Sequence, residues 1–210
     1  MRFLFRVFLF AGGAIFSAFT HVHAQGKSTE ATLGQAFPQQ ISFSYEGKDY
    51  LLKKTGASEL KHVRGDRSRS ILTLTHYMQN PPAGTGVSAI ESILKSSAAK
   101  QLIMQIKKDF DVGKFSARLD MFFNQAISQA ELQKVQQNYK VLLAYFSDAV
   151  NEDDEFVVRW LPDGKLIIST SGRQDKVIND SALALVFWKV WLGELSPVNR
   201  TELVSLLTSR

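Results

Sequence analysis

Apolar residues alternate with polar ones most clearly in the last quarter of the chain. Phe156, Val158 and Trp160 alternate with Val157, Arg159 and Leu161, the period of a half-buried strand. Pro162-Asp163-Gly164 follows, with Pro presetting φ and Gly accepting a positive φ, and Leu166, Ile167 and Ile168 return as the partner strand. Ser171-Gly172 turns the chain again before a short strand at Val177-Ile178. Asn179 or Asp180 suits the N-cap of a helix over 181–192, and Gly193 sits where that helix stops. Ser196-Pro197 predicts a closing helix with Pro at its first position.

Earlier in the chain, Ile41, Phe43 and Tyr45 lead into a Glu46-Gly47-Lys48 turn, and Tyr50 and Leu52 lead out, which predicts a hairpin. Thr55-Gly56-Ala57-Ser58 reads as an interruption, Leu60 to Val63 as extended, and 64–69 as a polar loop or hairpin tip. Its Arg64-Gly65-Asp66 spells an adhesion triplet without the context that would make it one. Ile71 to Met78 is a strand, 86–97 a helix, and Leu102, Met104 and Ile106 a further strand. Asp111 suits an N-cap for a helix carrying Val112, Phe115, Leu119, Phe122 and Ala126 on one face. Ser128 and Glu131 form a capping-box pattern ahead of a second helix striped by Leu132, Val135, Tyr139, Leu142, Leu143 and Phe146. Strands first and helices mostly later, without βαβ alternation, predict an α+β domain: an antiparallel sheet covered on one face by helices.

Composition narrows the chemistry. The 210 residues are 45% hydrophobic and 21% charged, enough for one domain with a real core. Cysteine is absent, so no disulfide, thiolate metal site or cysteine nucleophile exists. Residues 1–24 have the pattern of a secretory signal: Arg2 and Arg6, an apolar run from Val7 to Phe19, then Val22-His23-Ala24 before Gln25. The run is shorter than the ~20 residues that span a bilayer. Cleavage after Ala24 leaves a loose segment over 25–40, a domain over 41–210, and no membrane-spanning segment. The mature protein is then expected in the periplasm or secreted. Removing Arg2 and Arg6 takes the 25 basic residues to 23 against 20 acidic, dispersed along the sequence, a poor footprint for nucleic acid.

No catalytic pattern declares itself. The mature histidines are His62 and His76, too few for a multi-histidine metal site. No nucleophile elbow or phosphate loop is present. Asp109 and Asp111 read as carboxylates favouring a helix N-terminus, and 151–155 as an acidic connector without the ligand spacing of a calcium loop. No cofactor is expected.

The order of the C-terminal pieces carries a resemblance. The strand–Pro-Asp-Gly–strand hairpin, then a helix ending in Trp191-Leu192-Gly193 before Pro197, resembles the C-terminal half of chalcone isomerase-fold proteins, and the bacterial, exported chalcone isomerase-like branch most of all. The resemblance implies an open-faced β-sandwich with a ligand between sheet and helices. It implies a strand-borne Arg gripping an anion, as in the fatty-acid-binding relatives, and the matching residue is Arg64. The strand Thr falls on Leu72 or on Thr73. The helical Tyr and Asn fall near Phe115 and Phe122, and the late Thr on Val190, next to Trp191. Loss of these water-handling groups implies a non-enzymatic binder of an apolar anionic molecule such as a fatty acid. The expected site is then Arg64, Thr73, Phe115, Phe122, Val190 and Trp191. An isomerase acting through Arg64, and an envelope protein with a filled core and no ligand, stay open as alternatives.

Overall fold

The alternation in the chain becomes a seven-stranded antiparallel sheet in which each strand pairs with the next in sequence. The computed structural model describes residues 37–208, so residues 1–24, expected to be a secretory signal, and most of the expected loose segment over 25–40 lie outside the described residues. The strands are β1 (Gln40–Tyr45), β2 (Lys48–Arg64), β3 (Arg67–Met78), β4 (Lys100–Ile106), β5 (Glu155–Trp160), β6 (Lys165–Thr170) and β7 (Lys176–Asn179). The helices are α1 (Gly86–Lys95), α2 (Lys114–Ala126), α3 (Gln129–Lys134), α4 (Gln136–Tyr145) and α5 (Ser181–Leu192), with a 3-10 turn at Glu202–Val204. Among the described residues no helix is long and apolar enough to cross a membrane.

Local chemistry accounts for the turns. Glu46 and Gly47 both have positive φ (48° and 73°), the pair of values a tight hairpin turn needs to match strand twist. Leu161 accepts a hydrogen bond from the Gly164 amide across the Pro-Asp turn at 2.9 Å. Asp180 caps α5 by accepting from the Leu183 amide at 2.9 Å. Ser128 caps α3, accepting from the Glu131 amide at 3.3 Å while donating to the Glu131 carboxylate at 2.7 Å.

Four expectations are corrected. Thr55 to Ser58 does not interrupt a strand: it lies inside β2, 17 residues long, as a bulge where the pairing jumps from Lys54–Tyr77 to Gly56–His76. The extra residue flips the side-chain phase. Tyr50 and Leu52 therefore bury on the face away from the helices, and Leu60 on the helical face. The hairpin-tip reading of 64–69 holds, narrowed to a two-residue turn, because Arg64 and Arg67 are already paired strand residues. The helix expected from Asp111 starts at Lys114 behind Gly113 (φ 74°), and its successor breaks at Val135 into α3 and α4. The helix expected from Ser196 is only the 3-10 turn, held by β2.

That hold explains Gly56. A Cβ there would stand 2.1 Å from the Glu202 carbonyl oxygen and 2.6 Å from the Leu203 carbonyl carbon. Both obstacles are backbone, so Gly56→Ala should separate β2 from the C-terminal turn. We expect a loss of about 1–3 kcal/mol in urea unfolding, and an unchanged midpoint would contradict this packing.

The helices cover one face of the sheet and share with it a core built from Leu74, Leu102, Met104, Phe156, Val158 and the inner side of α5. The far face is covered by the chain's own start. Tyr77 donates its hydroxyl to the Pro38 carbonyl (3.0 Å), Arg159 lies 4.8 Å from the centre of the Phe43 ring, and Lys165 pairs with Glu46 at 2.8 Å. β1 is thus bonded to β2 and also reaches β5 and β6, so the sheet curls over a second apolar cluster of Tyr50, Leu52, Tyr77, Ile103 and Ile167.

Candidate functional site

The structure does not gather the expected site. Arg64 is exposed at the tip of the β2–β3 hairpin, opposite Arg67, far from any hollow between sheet and helices. Thr73 is buried, but its phase in β3 puts it on the face turned away from the helices, with Thr75 and Tyr77. Phe115 and Phe122 are packing residues: Phe115 stacks on Phe156 (centroids 5.6 Å) and meets Phe110 and Phe146, while Phe122 meets Trp191 edge-on at 6.1 Å. Val190 and Trp191 have no exposed surface. Where the resemblance places polar groups around a ligand, interlocked rings fill the volume.

A cleft lies elsewhere between the layers. α5 is apolar almost all round, and most of it is buried. One stripe, Ser181, Ala182, Leu185 and Lys189, stays uncovered at helical spacing. It faces the end of α1, which supplies Leu94 and Lys95 and then the Ser96-Ser97 turn. Trp160, at the end of β5, also lines this space, a cavity of about 630 Å³. The walls are mainly aliphatic and aromatic. The charged groups at the cleft are neutralised in pairs: Lys189 with Glu131 (2.6 Å) and Lys95 with Glu91 (3.6 Å).

Directly behind this lining sits Lys100. It is fully buried, because it stands two residues before Leu102 on the core-facing phase of β4. Its ammonium is 3.7 Å from the centre of the Trp160 ring and donates to the Ser96 carbonyl. Both partners line the cleft. Among the described residues Lys100 forms no ion pair. Burial pulls its pKa from 10.5 down to about 8. The ring face and one carbonyl partly compensate the charge, and an anion would complete it.

A second fully buried ionisable group on the same sheet face is His76. Trp188 donates its indole N–H to His76 Nε2 at 3.1 Å, so Nε2 must be the acceptor and Nδ1 carries the proton. Nδ1 is 2.6 Å from Thr55 Oγ1, which donates onward to the Leu203 carbonyl at 2.7 Å. Burial, and the charge of Lys100, push the His76 pKa from 6.5 down to about 3. With both nitrogens engaged, this imidazole clamps β2, β3, α5 and the C-terminal turn together and offers no free site for proton transfer. Among the described residues no group of three or more His, Cys, Asp or Glu could hold a metal.

Sequence reasoning missed Lys100 and His76 as site and clamp, although a signal existed. Lys100 falls in phase with Leu102, Met104 and Ile106, and His76 in phase with Leu72, Leu74 and Met78. An ionisable residue on the buried phase of a strand demands a partner.

A family model described as chalcone isomerase-like matches residues 68–202. The crystal structure of an Arabidopsis thaliana fatty-acid binding protein has the same architecture, with a TM-score of 0.57, 10% sequence identity, and coverage of 79% of this chain and 96% of that one. At that identity the likeness is one of fold. No curated protein matches the chain. The family match spans well over half of the chain, and the open antiparallel sheet backed by helices agrees with it: the chain belongs to the chalcone isomerase-like family.

Proposed function

We propose that this protein binds, without transforming it, a small apolar molecule ending in an anionic group, of the fatty-acid class, in the cleft between α1 and α5. The observation that carries the reading is the buried ammonium of Lys100, which has no counter-anion among the described residues and lies just behind an apolar cleft. An aliphatic chain would lie along Leu94, Ala182, Leu185 and the Trp160 ring. A small movement of the indole or of the Ser96-Ser97 turn would bring a carboxylate onto Nζ, where charge-assisted hydrogen bonding is strongest. The family membership and the fatty-acid binding protein of the same fold support this reading. The chemistry at the cleft supports binding over turnover: hydroxyls, paired charges and a lysine, with His76 occupied elsewhere.

The test is a titration followed by tryptophan fluorescence, with dodecanoate against dodecanol as probes. Saturable binding of dodecanoate, tighter than that of the alcohol, is expected, and Leu185→Trp should weaken it several-fold by filling the cleft. A flat titration, or equal affinity for acid and alcohol, defeats the proposal.

A further inference from the structure

The hairpin of β2 and β3 runs beyond the sheet. The last pair joining β3 to β4 is Leu72–Ile106, the Ile71 carbonyl still accepts from the Lys107 amide at 3.1 Å, and from Ser70 outward the ladder pairs the two strands only with each other. Residues 61–69 are all exposed, so this arm covers no core. A two-stranded ribbon without a buried face is marginal in water. Its charges make it worse. The register sets His62 opposite Arg69 and Arg64 opposite Arg67. Directly opposed residues share a face, and so do residues two apart along a strand. Three arginines and a histidine therefore occupy one side of the arm, and like charges facing each other destabilise it. Lys61 and Val63 are on the other side, Val63 with 66% of its surface exposed. These basic residues lie within eight consecutive positions, and the hairpin register aligns them on one side.

One acidic residue, Asp66, sits in the turn itself, and the others lie at the arm's base. Glu152 is 3.8 Å from Arg69, and Asp109 accepts from the Glu152 amide at 2.7 Å. Asp153 and Asp154 follow directly in the chain. The attractive part for an anion is thus the distal end, where Arg64 and Arg67 outnumber Asp66, with Val63 on the opposite side of the ribbon. That footprint fits end-on contact with a flat anionic surface. It does not fit a nucleic-acid duplex laid along the ribbon, whose phosphates would meet the basal carboxylates.

We propose that this arm docks the protein on an anionic phospholipid surface, with the arginine forks on lipid phosphates and Val63 at the headgroup boundary. The inference does not depend on what occupies the α1–α5 cleft.

The experiment is co-sedimentation of the full chain with vesicles of equal parts phosphatidylcholine and phosphatidylglycerol, against vesicles of phosphatidylcholine alone. Binding to the anionic vesicles only, weakened by added salt, is expected. Each basic side chain near such a surface is worth about fivefold, so Arg64→Gln/Arg67→Gln/Arg69→Gln, in which Arg64 and Arg67 are the distal contacts, should lower affinity at least about 25-fold. The corresponding triple lysine variant should keep most of it. Comparing variant with wild type cancels any contribution of the N-terminal apolar segment. Undiminished vesicle binding by the glutamine variant overturns the proposal. So does binding that ignores vesicle charge, or retention on duplex DNA without vesicle binding.

Discussion

His76→Leu should destabilise the protein by about 2–4 kcal/mol, the cost of a lost hydrogen bond to the Trp188 indole and of leaving that buried N–H without an acceptor. Thr55 keeps Leu203 as an acceptor, so the damage concentrates at the α5 contact. His76→Gln, which can accept at one end and donate at the other, should recover part of the loss. The wild type should also be acid-sensitive in a definite window. The folded pKa near 3 lies below the ordinary 6.5. Between those values the unfolded chain binds a proton that the native state excludes. Stability is therefore complete above 6.5 and falls as pH drops towards 3, by about 1.4 kcal/mol per pH unit. Urea unfolding at pH 7 and pH 5 reads this directly. His76→Gln should flatten the slope, and an unaltered slope in that variant would assign the acid sensitivity to other groups.

Lys100→Met is expected to move stability and binding in opposite directions. It replaces a buried charge that lacks an ion pair by an apolar chain of similar length, so the fold should gain about 1–3 kcal/mol. Dodecanoate affinity should fall ten- to a hundredfold, the worth of a hydrogen bond to a charged group. The pH dependence separates the two effects. With a folded pKa near 8 against 10.5, the unfolded chain holds the extra proton between those values. Wild-type stability therefore rises from about pH 8 to 10.5, and the Met variant lacks that rise. Dodecanoate binding behaves in reverse, weakening as pH climbs through about 8 and the ammonium loses its proton. Lys189 with Glu131 and Lys95 with Glu91 remain in the variant. A binding step near pH 8 that survives Lys100→Met would therefore not belong to Lys100. A Met variant that binds dodecanoate as well as wild type removes Lys100 from the site.

The contrast between Arg64 and Lys100 shows how far the chain could be read. Strand positions followed from alternation, and turn positions from Glu46-Gly47, Pro162-Asp163-Gly164 and the caps at Ser128 and Asp180. These signals act over a few residues, and short connections then force neighbouring strands to pair in order. The α+β architecture was therefore present in local chemistry. The face on which a side chain emerges was not. Between Leu52 and Arg64 the pairing of β2 slips twice, at Lys54/Gly56 and at Leu60/Lys61, and each slip can reverse the phase. Counting along the strand could not carry Arg64 to its true place, an exposed arm.

Lys100 and His76 were visible as ionisable residues on a buried phase, but the groups that answer them come from far along the chain: Trp160, Trp188 and Leu203. Phe115, Phe122, Val190 and Trp191 carry no mark distinguishing a cavity wall from a filled core. That difference depends on whether facing rings interlock, and only the packing of α2 and α5 against the sheet settles it. Periodicity and turn residues thus specified the elements and their order, because those interactions are local. Burial, phase and the cleft were decided in three dimensions, because they depend on contacts between residues that the chain keeps far apart.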